Sequence, residues 1–118
     1  MMTRVLLATL ALGAFCFVQS VNAGPLECYK RVSEYDTGIL RGMAVELCGG
    51  ARSYAPADCY HESFKLDSGM IRGIAIDLCK GSTNAKETLA CYLDASERGM
   101  NRGMAVQLCA AIQSRDER

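Results

Sequence analysis

The sequence predicts an all-α fold, organised as three tandem disulfide-stapled helical hairpins stacked into a short solenoid, and three observations carry that expectation. The first is a box that recurs as GILRGMAVELC over Gly38 to Cys48, GMIRGIAIDLC over Gly69 to Cys79 and GMNRGMAVQLC over Gly99 to Cys109. The second is the chemistry inside it: alternation of period two fails across GMAVELC, while Ala, Met, Leu and Glu favour helix. The third is a Cys-Tyr pair ahead of each box, at Cys28-Tyr29, Cys59-Tyr60 and Cys91-Tyr92. The spacing of roughly thirty residues is that of a small unit that cannot bury its apolar face alone and gains a continuous core by stacking on its neighbours.

Residues 1–23 read as a secretory signal peptide. Arg4 precedes an apolar run from Val5 to Val18, and Val21-Asn22-Ala23 offers the small residues of a cleavage site. The run is too short for a membrane span, and the bulky Phe15 before Cys16 does not fit a lipid-attachment site. Residues 24–118 then form a single domain with units at about 24–52, 53–82 and 83–114 and a charged tail, Arg115 to Arg118. No later segment is long and apolar enough to cross a bilayer.

In the first unit, Pro25 suits the first turn of a helix and Glu27 the positive helix start, so helix A is expected from Pro25 to Tyr35. Asp36-Thr37-Gly38 breaks it, with Gly38 in the left-handed conformation that ends helices, and helix B follows from Ile39 to Cys48 before Gly49-Gly50. Pro56, Asp67-Ser68-Gly69 and Lys80-Gly81 repeat the plan in the second unit. In the third, Asn84 with Glu87 reads as a capping box, Asn101 as a cap for helix B, and the last helix runs on past Ala110.

On a helical wheel Leu40, Met43, Ala44, Leu47 and Cys48 share one stripe, as do Ile71, Ile74, Ala75, Leu78 and Cys79, and this stripe is expected to face helix A. Val45, Ile76 and Val106 project beyond it and suit the next unit. Glu46, Asp77 and Gln107 read as solvated.

Of 7 cysteines, 6 remain once Cys16 departs with the leader, an even number in a short exported chain and therefore a disulfide framework. The start of helix A lies beside the end of helix B in an antiparallel hairpin, so Cys28 is expected to pair with Cys48, Cys59 with Cys79 and Cys91 with Cys109. Pairing across units, Cys48 with Cys59 and Cys79 with Cys91, is the alternative. No C-x-x-C pair is present and His61 is the single histidine, which argues against a metal site, a redox centre or a cofactor.

Charge excludes one class of partner. With 13 basic and 13 acidic residues interspersed there is no basic footprint for nucleic acid. Catalysis finds no support either: Ser33, Ser53, Ser63, Ser68 and Ser82 lack a nucleophile elbow, Gly49-Gly50 reads as a helix stop, and a lone histidine leaves little for acid–base work.

Arg41, Arg72 and Arg102 recur near the start of helix B, where the helix dipole disfavours a cation. A carboxylate in the turn before each, Asp36, Asp67 or Glu97, is the natural structural partner; a stacked guanidinium ladder for an acidic partner is the functional reading. Tyr29, Tyr60 and Tyr92 read as packing residues with the hydroxyl at the rim, or as a ligand-stacking ladder, and His61 as an exposed helix residue. Gly42, Gly73 and Gly103 imply close helix approach or a tight turn. The sequence thus points to a non-enzymatic, secreted or periplasmic module that binds a protein or polysaccharide surface, the rival being a secreted effector such as an inhibitor or toxin.

Overall fold

The computed structural model of the protein describes residues 23–116, with side chains to residue 110. The expected leader up to residue 22, with Cys16, and the end of the charged tail lie outside the described residues. Six α-helices and no strand are present among these: α1 (Pro25–Tyr35), α2 (Arg41–Cys48), α3 (Ala55–Leu66), α4 (Arg72–Cys79), α5 (Ala85–Glu97) and α6 (Arg102–Asp116).

Local sequence sets the helix starts. Pro25 opens α1, Glu27 accepts a hydrogen bond from the Gly24 amide at 3.0 Å, and the Asn84 side chain caps α5 by accepting from the Glu87 amide at 3.1 Å. Asn101 likewise accepts from the Met104 amide at 2.9 Å and opens α6. The second helix of the first two pairs begins later than expected, because Leu40 and Ile71 are extended N-caps. Both are consequently exposed and leave the core stripe, which is carried by Ala44, Leu47 and Cys48 and by Ala75, Leu78 and Cys79.

Consecutive helices pack as pairs, α1 on α2, α3 on α4 and α5 on α6, and each pair holds one disulfide: Cys28–Cys48, Cys59–Cys79 and Cys91–Cys109, with Cα separations of 5.6, 5.6 and 5.7 Å. The first helices of successive pairs also touch, α1 with α3 and α3 with α5, as do the second helices, α2 with α4 and α4 with α6. One apolar cluster runs through all three pairs, with Val32, Leu47, Tyr60, Leu78 and Tyr92 among its buried members.

Two glycine assignments are corrected. Gly50, Gly81 and Gly99 take positive φ, whereas Gly38 and Gly69 do not. Helices α1 and α3 end instead at Asp36 and Asp67, whose carboxylates accept from the Gly38 and Gly69 amides at 3.1 and 2.9 Å. A Cβ on Gly38 would meet Nη2 of Arg72 at 2.8 Å and push on the guanidinium, and a Cβ on Gly69 would collide with Arg102. Gly42 and Gly73 have open space around the missing Cβ, so the expected close approach is absent and nothing in the structure explains them.

The contrast makes a prediction. Gly69→Ala displaces the Arg102 guanidinium and is expected to destabilise the fold by about 1–2 kcal/mol, whereas Gly73→Ala is expected to stabilise it by about 0.5 kcal/mol through helix propensity. Paired urea unfolding curves check both; a Gly69→Ala midpoint at or above wild type would remove the steric reading.

Candidate functional site

Among the described residues, the polar groups whose pKa values are shifted furthest sit at the two joints between helix pairs. At the first joint Asp36, at the end of α1, receives a bidentate pair from Arg72 of the second pair, Nε to Oδ2 at 2.8 Å and Nη2 to Oδ1 at 2.9 Å. The Tyr60 hydroxyl donates to the same Oδ2 at 2.6 Å. The second joint repeats this with Asp67: Arg102 donates from Nε and Nη2 at 2.8 Å each, and the Tyr92 hydroxyl at 2.6 Å. Each carboxylate therefore gathers an arginine, a tyrosine and a backbone amide.

This geometry polarises the groups in opposite senses. The Arg72 guanidinium, helped by the Tyr60 hydroxyl and the Gly38 amide, holds Asp36 well below the usual carboxylate range, and Arg102 and Tyr92 do the same for Asp67. Burial first, and the hydrogen bond to the Asp67 carboxylate second, push the Tyr92 phenol up to about 12; burial and the hydrogen bond to Asp36 raise Tyr60 in the same way. A carboxylate locked as an acceptor and a phenol locked as a donor are poor general acids and bases at neutral pH. Their chemistry is that of a clamp.

Neighbouring contacts reinforce the first joint. Asp58 accepts from Arg31 at 3.2 Å and from the Tyr35 hydroxyl at 2.7 Å, Arg31 lies 3.5 Å from the centre of the Tyr54 ring, and Lys80 reaches Glu46 at 3.1 Å. His61 is not the exposed helix residue expected: it is half-buried, with its ring stacked 3.8 Å from Tyr35. Beside the joint lies an open cleft of about 560 Å³ lined by Tyr35, His61, Phe64 and Ile71 along with Asp36, Tyr60 and Arg72. A smaller cleft of about 310 Å³ flanks Asp67, Tyr92 and Arg102.

The recurring arginines and tyrosines thus divide. Arg72 with Tyr60, and Arg102 with Tyr92, meet on a carboxylate of the preceding helix pair, not on the turn that leads into their own helix. Arg41 and Tyr29 border one groove at the outer face of the first pair, where no carboxylate meets them among the described residues. The cross-pair contact is the feature that spacing alone missed. A signal for it existed, because the Asp-x-Gly turn occurs at Asp36 and Asp67, in the first two units, and is replaced by Glu97-Arg98-Gly99 in the third.

No protein-family model, curated protein or solved structure matches the chain.

Proposed function

We propose that the chain is an exported, non-enzymatic module of three disulfide-closed helical hairpins, stacked as a short solenoid and serving in binding or structural roles at an envelope or extracellular surface. The observation that carries this reading is where the polar chemistry is used: Asp36, Asp67, Arg72, Arg102, Tyr60 and Tyr92 are tied to one another across the joints. What remains for a partner is surface, including the exposed Leu26, Leu40, Val45, Ile71 and Met104. Three disulfides in so short a chain belong to an oxidising compartment, and among the described residues no helix is long and apolar enough to cross a membrane. A stack of equivalent units offers an extended face, which suits recognition of a protein or polysaccharide surface.

The test is affinity capture from the native exported fraction, with the oxidised protein as bait and the reduced, alkylated protein as control. Retention of a discrete protein or polysaccharide component by the oxidised bait alone is expected. Turnover of a substrate by the purified protein, or equal capture by both baits, would overturn the reading.

A further inference from the structure

The joint is a plug and a socket, and the first helix pair presents a socket that no other described residue fills. In the second pair the socket consists of Ala57, Tyr60, Arg72 and Ile76, and the three apolar members are 0%, 1% and 2% exposed. The third pair matches it with Leu89, Tyr92, Arg102 and Val106, of which Leu89 and Tyr92 are 8% and 2% exposed. The plug in each case is the preceding pair, led by its Asp-x-Gly turn. The first pair places Leu26, Tyr29, Arg41 and Val45 at the same four positions, yet Leu26 is 60% and Val45 58% exposed. Val45 is exposed although a second pair follows it, and Val106 is half-buried although no further pair follows it among the described residues, so the covering neighbour at this position is the preceding pair. The four residues border an open groove of about 400 Å³, mostly apolar in its lining, with Arg41 as its one ionised side chain.

We infer that this groove is a docking site for a protein partner that presents an aspartate in a helix-ending Asp-Thr-Gly or Asp-Ser-Gly turn, the same plug that fills the two internal sockets. The inference rests on the stacked-hairpin reading above. Complementarity dictates the occupant. Arg41 calls for a carboxylate held bidentately, Tyr29 for an acceptor at its hydroxyl, and Leu26 and Val45 for an apolar helix shoulder. A glycine two residues after the aspartate is required because the guanidinium lies over its Cα, as at Gly38 and Gly69. A second copy of this chain does not supply that plug. Its free end carries Glu97-Arg98-Gly99, with Gly99 at φ +90° in place of the aspartate-capped turn and Arg98 engaged with Asp94 at 3.2 Å.

The probe is a synthetic, disulfide-closed peptide of residues 24–52, which carries the Asp36 turn, titrated into the oxidised protein isolated from the exported fraction. Expected is saturable binding that falls at least tenfold for Arg41→Gln protein and for Asp36→Asn peptide, with Tyr29 shifted in the NMR spectrum. A peptide that is helical by circular dichroism but does not bind, or that binds Arg41→Gln protein equally, overturns the proposal. If the peptide is not helical alone, residues 24–52 are fused upstream of Gly24 in the same chain. The Tyr29 ring is then expected to shift in the NMR spectrum relative to the unfused protein, and an unshifted Tyr29 overturns the proposal. Head-to-tail self-association abolished by Arg41→Gln would make the occupant a second copy, and loss of peptide binding in protein that retains residues 1–23 would make it the chain's own leading segment; either replaces the proposed partner. Affinity capture separates this inference from the functional reading. Equal capture by wild type and Arg41→Gln sinks the socket alone, while peptide binding without any captured component sinks the module reading alone.

Discussion

Replacing Cys59 and Cys79 together by alanine is expected to lower the free energy of unfolding by about 4 kcal/mol, more than the same change at Cys91 and Cys109. The bond spans 20 residues, and closing a loop of that size restricts the unfolded chain by roughly 3 kcal/mol in the chain-entropy picture. A domain of this size has on the order of 5–14 kcal/mol of stability in all, so the loss is a large fraction of the whole. Cys91 and Cys109 span 18 residues, and loop closure alone predicts nearly the same cost there. Burial distinguishes the two. Cys59 and Cys79 are both fully buried between neighbours on either side, whereas Cys91 is half-buried at the end of the chain. Removing the central sulfurs also empties packed space, which adds roughly 1 kcal/mol. Urea unfolding followed by circular dichroism is expected to show a midpoint lowered by about 2–3 M for the central pair, and less for the terminal one. A central variant that unfolds at the wild-type midpoint would show that the bond contributes nothing to stability.

The helices and cysteine pairs were legible in the sequence because both are local. Pro25, Asn84 and Asn101 carry their caps with them, and a box that ends in cysteine places that sulfur beside the start of the preceding helix once the chain turns back. The sequence places the first of the second helices at Ile39, two residues before its start at Arg41, since Ile39-Leu40, like Met70-Ile71, continues the apolar pattern although its backbone forms the turn and the extended N-cap. The joints were not legible from one unit. Asp36 lies close to Arg41 along the chain but bonds Arg72, 36 residues away, because stacking brings the end of one pair over the start of the next. The same geometry favours glycine at position 38 without positive φ: the crowding comes from a guanidinium in another helix pair, which no local rule contains. Val45 and Ile76 look alike on a helical wheel and yet differ in burial, at 58% and 2% exposed, a difference that the wheel of one unit does not contain.

Asp36→Ala is expected to cost about 2–3 kcal/mol, more than any other single substitution of a polar side chain at the first joint. The alanine deprives the buried Tyr60 hydroxyl of its charged acceptor, leaves Arg72 with only water, and frees the Gly38 amide, so three donors lose one partner at once. Tyr60→Phe removes a single donor and is expected to cost about 1 kcal/mol. The double variant Asp36→Ala with Tyr60→Phe should therefore cost less than the sum of the two, because the phenylalanine no longer strands a hydroxyl. Acid provides an independent reading of the same contact. Asp36 and Asp67 are held below the usual range in the fold and titrate near 3.9 when unfolded, so their contribution is complete above about pH 5 and lost as pH falls through the folded-state values. Wild-type stability should thus be level from neutrality to about pH 5 and decline below it. The Asp36→Asn, Asp67→Asn double variant should begin lower and decline less steeply over the acid range, which denaturant midpoints measured from pH 7 to pH 2 will resolve. Equal acid slopes for the two proteins would show that these carboxylates are not what holds one helix pair to the next.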